Sequence, residues 1–174
     1  MSDQEMISTI DVEELVEGSS IFQSNGISIL KVTQNGEVKK LRVPIKSSGV
    51  DEVIRNFERK KPRPPIINVV VKPGDSAFKD LNLNRKQHIK TFDFTDEAYL
   101  DEVEKYSSQL GLQIVLQGIN VVLKDKEKNI IEDDDRKISV LRNMGLSSEH
   151  FTQLVRDIRN LTRWEDQNTD DFLE

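Results

Sequence analysis

The chain of 174 residues has no cysteine, and this excludes disulfides, thiolate zinc sites and cysteine nucleophiles together. No apolar run approaches the roughly 18 residues of a membrane span. The opening Met-Ser-Asp-Gln-Glu has neither a basic n-region nor an apolar core, so it does not read as a signal peptide. The expected compartment is the cytoplasm. The eight glycines are scattered singly, with no phosphate-binding loop and no Gly-x-Ser-x-Gly elbow. The two histidines, His88 and His150, stand alone, without the further ligands a metal site needs. Asp133-Asp134-Asp135 lacks the spaced oxygens and central glycine of a calcium loop. No metal, cofactor or catalytic residue is expected.

What is present is charge and helical pattern. Apolar residues make up 36% and charged residues 32%, which predicts a modest core. The net charge of −6 is unevenly placed. Lys39 to Lys90 holds fourteen Lys/Arg against five Asp/Glu, a net of +9, which leaves −15 for the remainder. A basic surface on one part and acidic surfaces elsewhere follow, or charge-complementary packing between the two.

The pattern predicts an α+β, α-rich fold: an N-terminal β-hairpin and short strands, then a C-terminal three-helix unit. Four segments are expected: a mobile acidic N-terminus (1–26), a basic stretch of hairpin, short helix and strands (27–94), a helical domain (95–163) and a disordered acidic tail (164–174). Residues 1–20 carry six acids and no base, with a short helix over Ile10–Val16 as one reading.

Ile27–Thr33 and Val38–Ile45 alternate apolar and polar residues around Asn35-Gly36, the strongest short signal for a type I′ hairpin. Val50, Val53, Ile54 and Phe57 mark a short amphipathic helix, and Pro62-Arg63-Pro64-Pro65 reads as a rigid connector beyond it. Ile66–Val71 is a β-branched run and a strand. Ala77–Lys90 is weakly periodic. Thr95 is the expected N-cap of a long helix whose apolar face is Tyr99, Val103, Tyr106, Leu110 and Ile114. Gly111, inside it, marks either a close helix crossing or a tolerated defect. Gly118 is placed to end it in a left-handed C-cap. Ile119–Ile131 reads as a small hairpin or extended excursion. The acids Glu132–Asp135 cap the next helix, which Gly145 ends. Ser147 caps the last, and Leu146 and Phe151 stand where a hydrophobic staple would.

Ile138–Leu161 also has the outline of a helix-turn-helix, with Glu149, His150, Gln153, Arg156, Asp157, Asn160 and Arg163 facing outward. Acids on that face repel phosphates, so a plain helical corner is preferred and nucleic acid is disfavoured as a partner.

Several stretches together resemble the tail assembly chaperones of tailed bacteriophages and prophages. They are Gly36-Glu-Val-Lys-Lys-Leu-Arg-Val-Pro44, Phe92-Asp-Phe-Thr-Asp-Glu-Ala-Tyr-Leu100, Leu110-Gly-Leu-Gln-Ile-Val-Leu-Gln-Gly118 and the closing helical pair around Met144-Gly-Leu-Ser147. The resemblance covers residues 27–162 in outline. The segment Ile66–Phe94 is more β-rich than such chaperones. The resemblance implies a non-enzymatic protein that keeps a tape-measure protein soluble while tail tube subunits assemble, in the host cytoplasm. The tail tube protein is a second expected partner, and many such chaperones also exist in a longer frameshifted form. The expected client surface is Tyr99, Tyr106, Leu110, Phe151, Val155 and Ile158, with self-association as another use of the same faces. Ordinary core is the competing reading of these six.

Overall fold

The computed structural model describes residues 21–162, together with Val12, Glu14, Val16 and Glu17. The expected helix over Ile10–Val16 lies only partly within the described residues, where Val12, Glu14 and Val16 are not helical. The expected disorder of 164–174, with Phe172 and Leu173, lies outside the described residues. Within them the fold is α+β, with two antiparallel hairpins and five helices. Strands β1 (Asn25–Gln34) and β2 (Glu37–Lys46) pair from Asn25↔Lys46 to Gln34↔Glu37. Asn35 at φ 53° and Gly36 at φ 80° make the turn, both in the left-handed region that a type I′ hairpin requires. Alternation then places Ser28, Leu30 and Ile45 inward and buried, while Ile27 and Ile29 face out. Helix α1 (Val50–Glu58) follows and buries Val50.

The core forms where the inner face of this hairpin, α1, the C-terminal half of α3 (Glu97–Gly118) and α5 (Ser148–Thr162) meet. It is built from Leu30, Ile45, Val50, Leu110, Ile114, Val115, Leu154 and Ile158. Gly118 stands at a tight point of this core. It does not adopt the expected left-handed cap; the cap residue is Ile119 in extended geometry. A Cβ on Gly118 would lie 2.5 Å from Ile158 Cγ2 and 2.6 Å from its Cδ1. The residue is glycine because α5 crosses there. After Gly118 the chain joins the sheet edge: Asn120 N–H donates to the Pro44 carbonyl at 2.9 Å, and Ile119 bridges Ile45. The excursion that follows closes through one bridge, Lys124↔Ile130.

The helix ends are set by local chemistry. Asp96, not Thr95, is the N-cap of α3, its carboxylate accepting from Tyr99 N–H at 2.8 Å. Thr95 is otherwise engaged: its N–H and hydroxyl both donate to Asp93 Oδ1, at 2.9 and 2.7 Å. A carboxylate is also the better acceptor against the positive end of the helix dipole. Asp133 caps α4 (Asp134–Asn143) in the same way, accepting from Arg136 N–H at 2.7 Å. Gly145, at φ 94°, closes α4, and Ser147 Oγ accepts from His150 N–H to open α5.

Beyond the Pro62–Pro65 connector stands a second hairpin, β3 (Ile66–Val71) with β4 (Gln87–Phe92), enclosing the short helix α2 (Ser76–Asp80). It makes no extended packing with the other elements. Packing across the expected boundary at residue 94 is extensive. The first hairpin and α1 share one core with α3 and α5, and residues 66–92 form the separate piece. One aromatic line leads out to it: Phe92 to Phe94 and Phe94 to Tyr99, each 6.3 Å between ring centres.

Candidate functional site

The six residues expected to form one surface are divided by the helix geometry. Leu110 is 8% exposed and Ile158 is 0% exposed; both belong to the core, and Ile158 packs against Gly118 at the α3–α5 crossing. Neither reaches a partner without opening the fold, so these two residues leave the proposed surface. Tyr106 packs on Phe57 of α1, ring centres 6.0 Å apart, at the fringe of the core. Tyr99 sits at the start of α3 against the edge of Phe94. Phe151 and Val155 alone of the six line a groove.

That groove has a volume of about 970 Å³ and runs between α3 and α5, closed at one end by the α4–α5 turn. Its floor is Gly111, Leu112, Leu146, Phe151 and Val155. Gly111 is here a widening of the groove: a Cβ on it would meet Val155 Cγ2 at an ordinary 3.7 Å. Serine and threonine hydroxyls line the walls, and Arg142, Arg156 and Arg159 the rim, with no acid among the lining residues. In a chain of net charge −6 this is a local reversal of sign. The Nε of Arg159 is buried without a hydrogen-bond partner among the described residues, and the Arg156 guanidinium donates to Gln153 Oε1. The sequence reading named Arg156 only as an outward residue of a helix-turn-helix and missed Arg142 and Arg159, because the three come from two helices. The signal available was the pair Arg156 and Arg159, one turn apart on the face that carries Val155.

The opposite side of α5 is tied to β1. Ser28, fully buried, donates its hydroxyl to Asp157 Oδ2 at 2.6 Å, and Gln153 Nε2 donates to both oxygens of Asp157 at 2.9 Å. His150 makes a clamp. Its Nδ1 accepts from Ser147 N–H at 3.2 Å, so the proton resides on Nε2, which donates to the Lys31 carbonyl at 2.8 Å. Two side chains that a helix-turn-helix would turn toward DNA, His150 and Asp157, are thus engaged at the protein's own hairpin, and Gln153 is bonded to Asp157. The sequence reading placed His150 and Asp157 outward because an isolated helix face gives no sign of a strand 119 to 129 residues away.

Two carboxyls are held below the usual aspartate range. Asp93 is lowered chiefly by the Thr95 hydroxyl, then by the Thr95 amide. Asp125 is lowered chiefly by the Asn129 amide, with Arg136 3.5 Å away a minor contribution. Both organise loops. Among the described residues no group of three or more His, Asp or Glu is placed to hold a metal ion, and no helix is long and apolar enough to cross a membrane.

Comparison with protein families, characterised proteins and solved structures finds no match for this chain.

Proposed function

We propose that this chain is a non-enzymatic binding protein that shields an apolar helical segment of a partner, as a phage tail assembly chaperone shields its tape-measure protein. The observation that carries the proposal is the α3–α5 groove, with its floor of Leu112, Leu146, Phe151 and Val155 and its arginine rim. Two neighbouring helices present ridges between which a third helix can lay an apolar face. A helix is about 10 Å across with its side chains, a scale that an open groove of about 970 Å³ accommodates for a few turns. The anchoring of α5 through Ser28, Asp157 and His150 keeps the groove wall fixed, which lowers the ordering cost of binding. The chain's net negative charge keeps a complex with an otherwise aggregating client in solution. The expected setting is the host cytoplasm, with the tail tube protein as a second partner.

The test is coexpression with a tape-measure protein, scored by the soluble yield of the client. Arg142→Glu with Arg156→Glu alters the rim at exposed positions, and Val155→Asp alters the floor. Both variants should lose most of the solubilising effect; for the rim variant, unchanged circular dichroism should accompany the loss. Undiminished client yield from both variants would remove the groove from the proposal. Retardation of duplex DNA by the wild type, weakening steeply with salt, would instead favour a nucleic-acid-binding regulator.

A further inference from the structure

The hairpin β3–β4 is left standing by the fold, and isolated two-stranded hairpins are marginal in water. Its register puts Ile66 opposite Phe92 and Asn68 opposite Lys90 on one face. Ile66 is 64% exposed and Phe92 is 54% exposed, and Phe94 continues the apolar patch. The stretch from Arg59 to Lys90 adds nine Lys/Arg against two Asp/Glu. The hairpin therefore presents a bulky apolar surface in a basic field. Such a surface is expected to be covered in the working state of a protein.

A complementary surface exists on the same chain. Glu97, Leu100, Asp101 and Glu104 recur at i, i+3, i+4 and i+7, so they share one stripe of α3. All four are exposed, with Leu100 at 50%. The stripe is acidic around one apolar residue, where the hairpin face is basic around apolar ones. It belongs to the N-terminal half of α3, which contributes no buried residue to the core.

We propose that a second copy of this chain covers the hairpin, with the Ile66/Phe92/Lys90 face of each copy seated on the Glu97–Glu104 stripe of the other. Each surface occurs once per chain, so a two-fold arrangement satisfies both reciprocally and closes the assembly as a dimer. The dimer does not depend on the α3–α5 groove, and its success or failure is separate from that of the proposed client binding.

Sedimentation velocity across a concentration series tests the inference, with circular dichroism to establish that each variant folds. The wild type should be a dimer whose dissociation weakens as salt is lowered. Phe92→Ser or Leu100→Asp, both at exposed positions, should raise the dimer Kd by about tenfold or more, the equivalent of losing one good contact at each of two sites. Lys90→Glu should do the same, and the double variant Lys90→Glu/Asp101→Lys should recover dimerisation by restoring opposite charges across the interface. A wild type that stays monomeric at every concentration overturns the proposal. So does a dimer that is indifferent to Phe92→Ser, Leu100→Asp and Lys90→Glu, or a monomer that binds a single-stranded oligonucleotide through Phe92 and Lys90.

Discussion

Gly118 and Gly111 lie two turns apart in α3, and the structure assigns them opposite responses to the same substitution. Alanine at Gly118 places a methyl 2.5 to 2.8 Å from three carbons of Ile158, a side chain with no exposed surface into which to retreat. Overpacking of this kind costs about 1–3 kcal/mol. Helix propensity returns at most about 1 kcal/mol, and less at the last helical position. The net expectation is a loss of about 1–2 kcal/mol, read as a lower urea midpoint and a Tm reduced by about 2–8 °C. Alanine at Gly111 meets only Val155 Cγ2, at 3.7 Å, and gains propensity in a helix interior, so it should stabilise by about 0.5–1 kcal/mol. Ile158→Ala supplies the cross-check. Alone it should cost about 2–5 kcal/mol through the cavity it opens. Combined with Gly118→Ala it should cost no more than alone, a coupling of about 1–3 kcal/mol, because the new methyl enters the vacated space. A Gly118→Ala protein as stable as, or more stable than, the wild type would refute the close crossing and the account of the core built on it.

Gly36→Val should lower thermal stability by about 1–2 kcal/mol, since a β-branched residue resists the φ of 80° while no neighbour offers it contact. Ser28→Ala removes a hydrogen bond to a carboxylate and should cost about 1.5–3 kcal/mol in urea unfolding. Thr95→Ala removes the largest contribution holding Asp93 down, so its pKa should rise toward the usual aspartate value in a carbon-detected NMR titration. Because Asp93 and Asp125 are depressed in the folded state, their stabilising contribution is present at neutral pH. It fades as pH falls below about 4 and through their folded values; a loop structure indifferent to acid in that range, followed by amide shifts, would contradict it.

The parts of the fold that were legible in the sequence are those whose cause is local. Asn35-Gly36 fixes a turn by the backbone freedom of two adjacent residues. Asp133, Gly145 and Ser147 each act within a few positions of themselves, and the helices they bound were readable for that reason. Gly118 shows where this fails: its place at a helix end was visible, but its reason is Ile158, forty positions on, and spacing alone favoured the wrong cause. Strand β4 was obscure because Gln87–Phe92 becomes a strand through pairing with β3 more than through its own pattern. The groove was half legible. Phe151 and Val155 stood out by helical period, whereas Leu110 and Ile158 followed the same period into the core. Periodicity finds the apolar face of a helix and is silent on which part of that face a neighbour covers.

The bond between Ser28 and Asp157 spans 129 residues, and synthesis supplies those partners at very different times. At roughly 5–20 residues per second, α5 follows β1 out of the ribosome after about 6–26 seconds. Through that interval the first hairpin can close its own turn, but the surface that seats it does not exist, and Leu30 and Ile45 have no core to enter. A nascent chain halted at Gly145 lacks Leu154 and Ile158 altogether, and with them the crossing on which Gly118 depends. Completion of the last helix is therefore the event that commits the whole core, and a lesion in α5 should be felt first as a failure of the N-terminal hairpin to be retained.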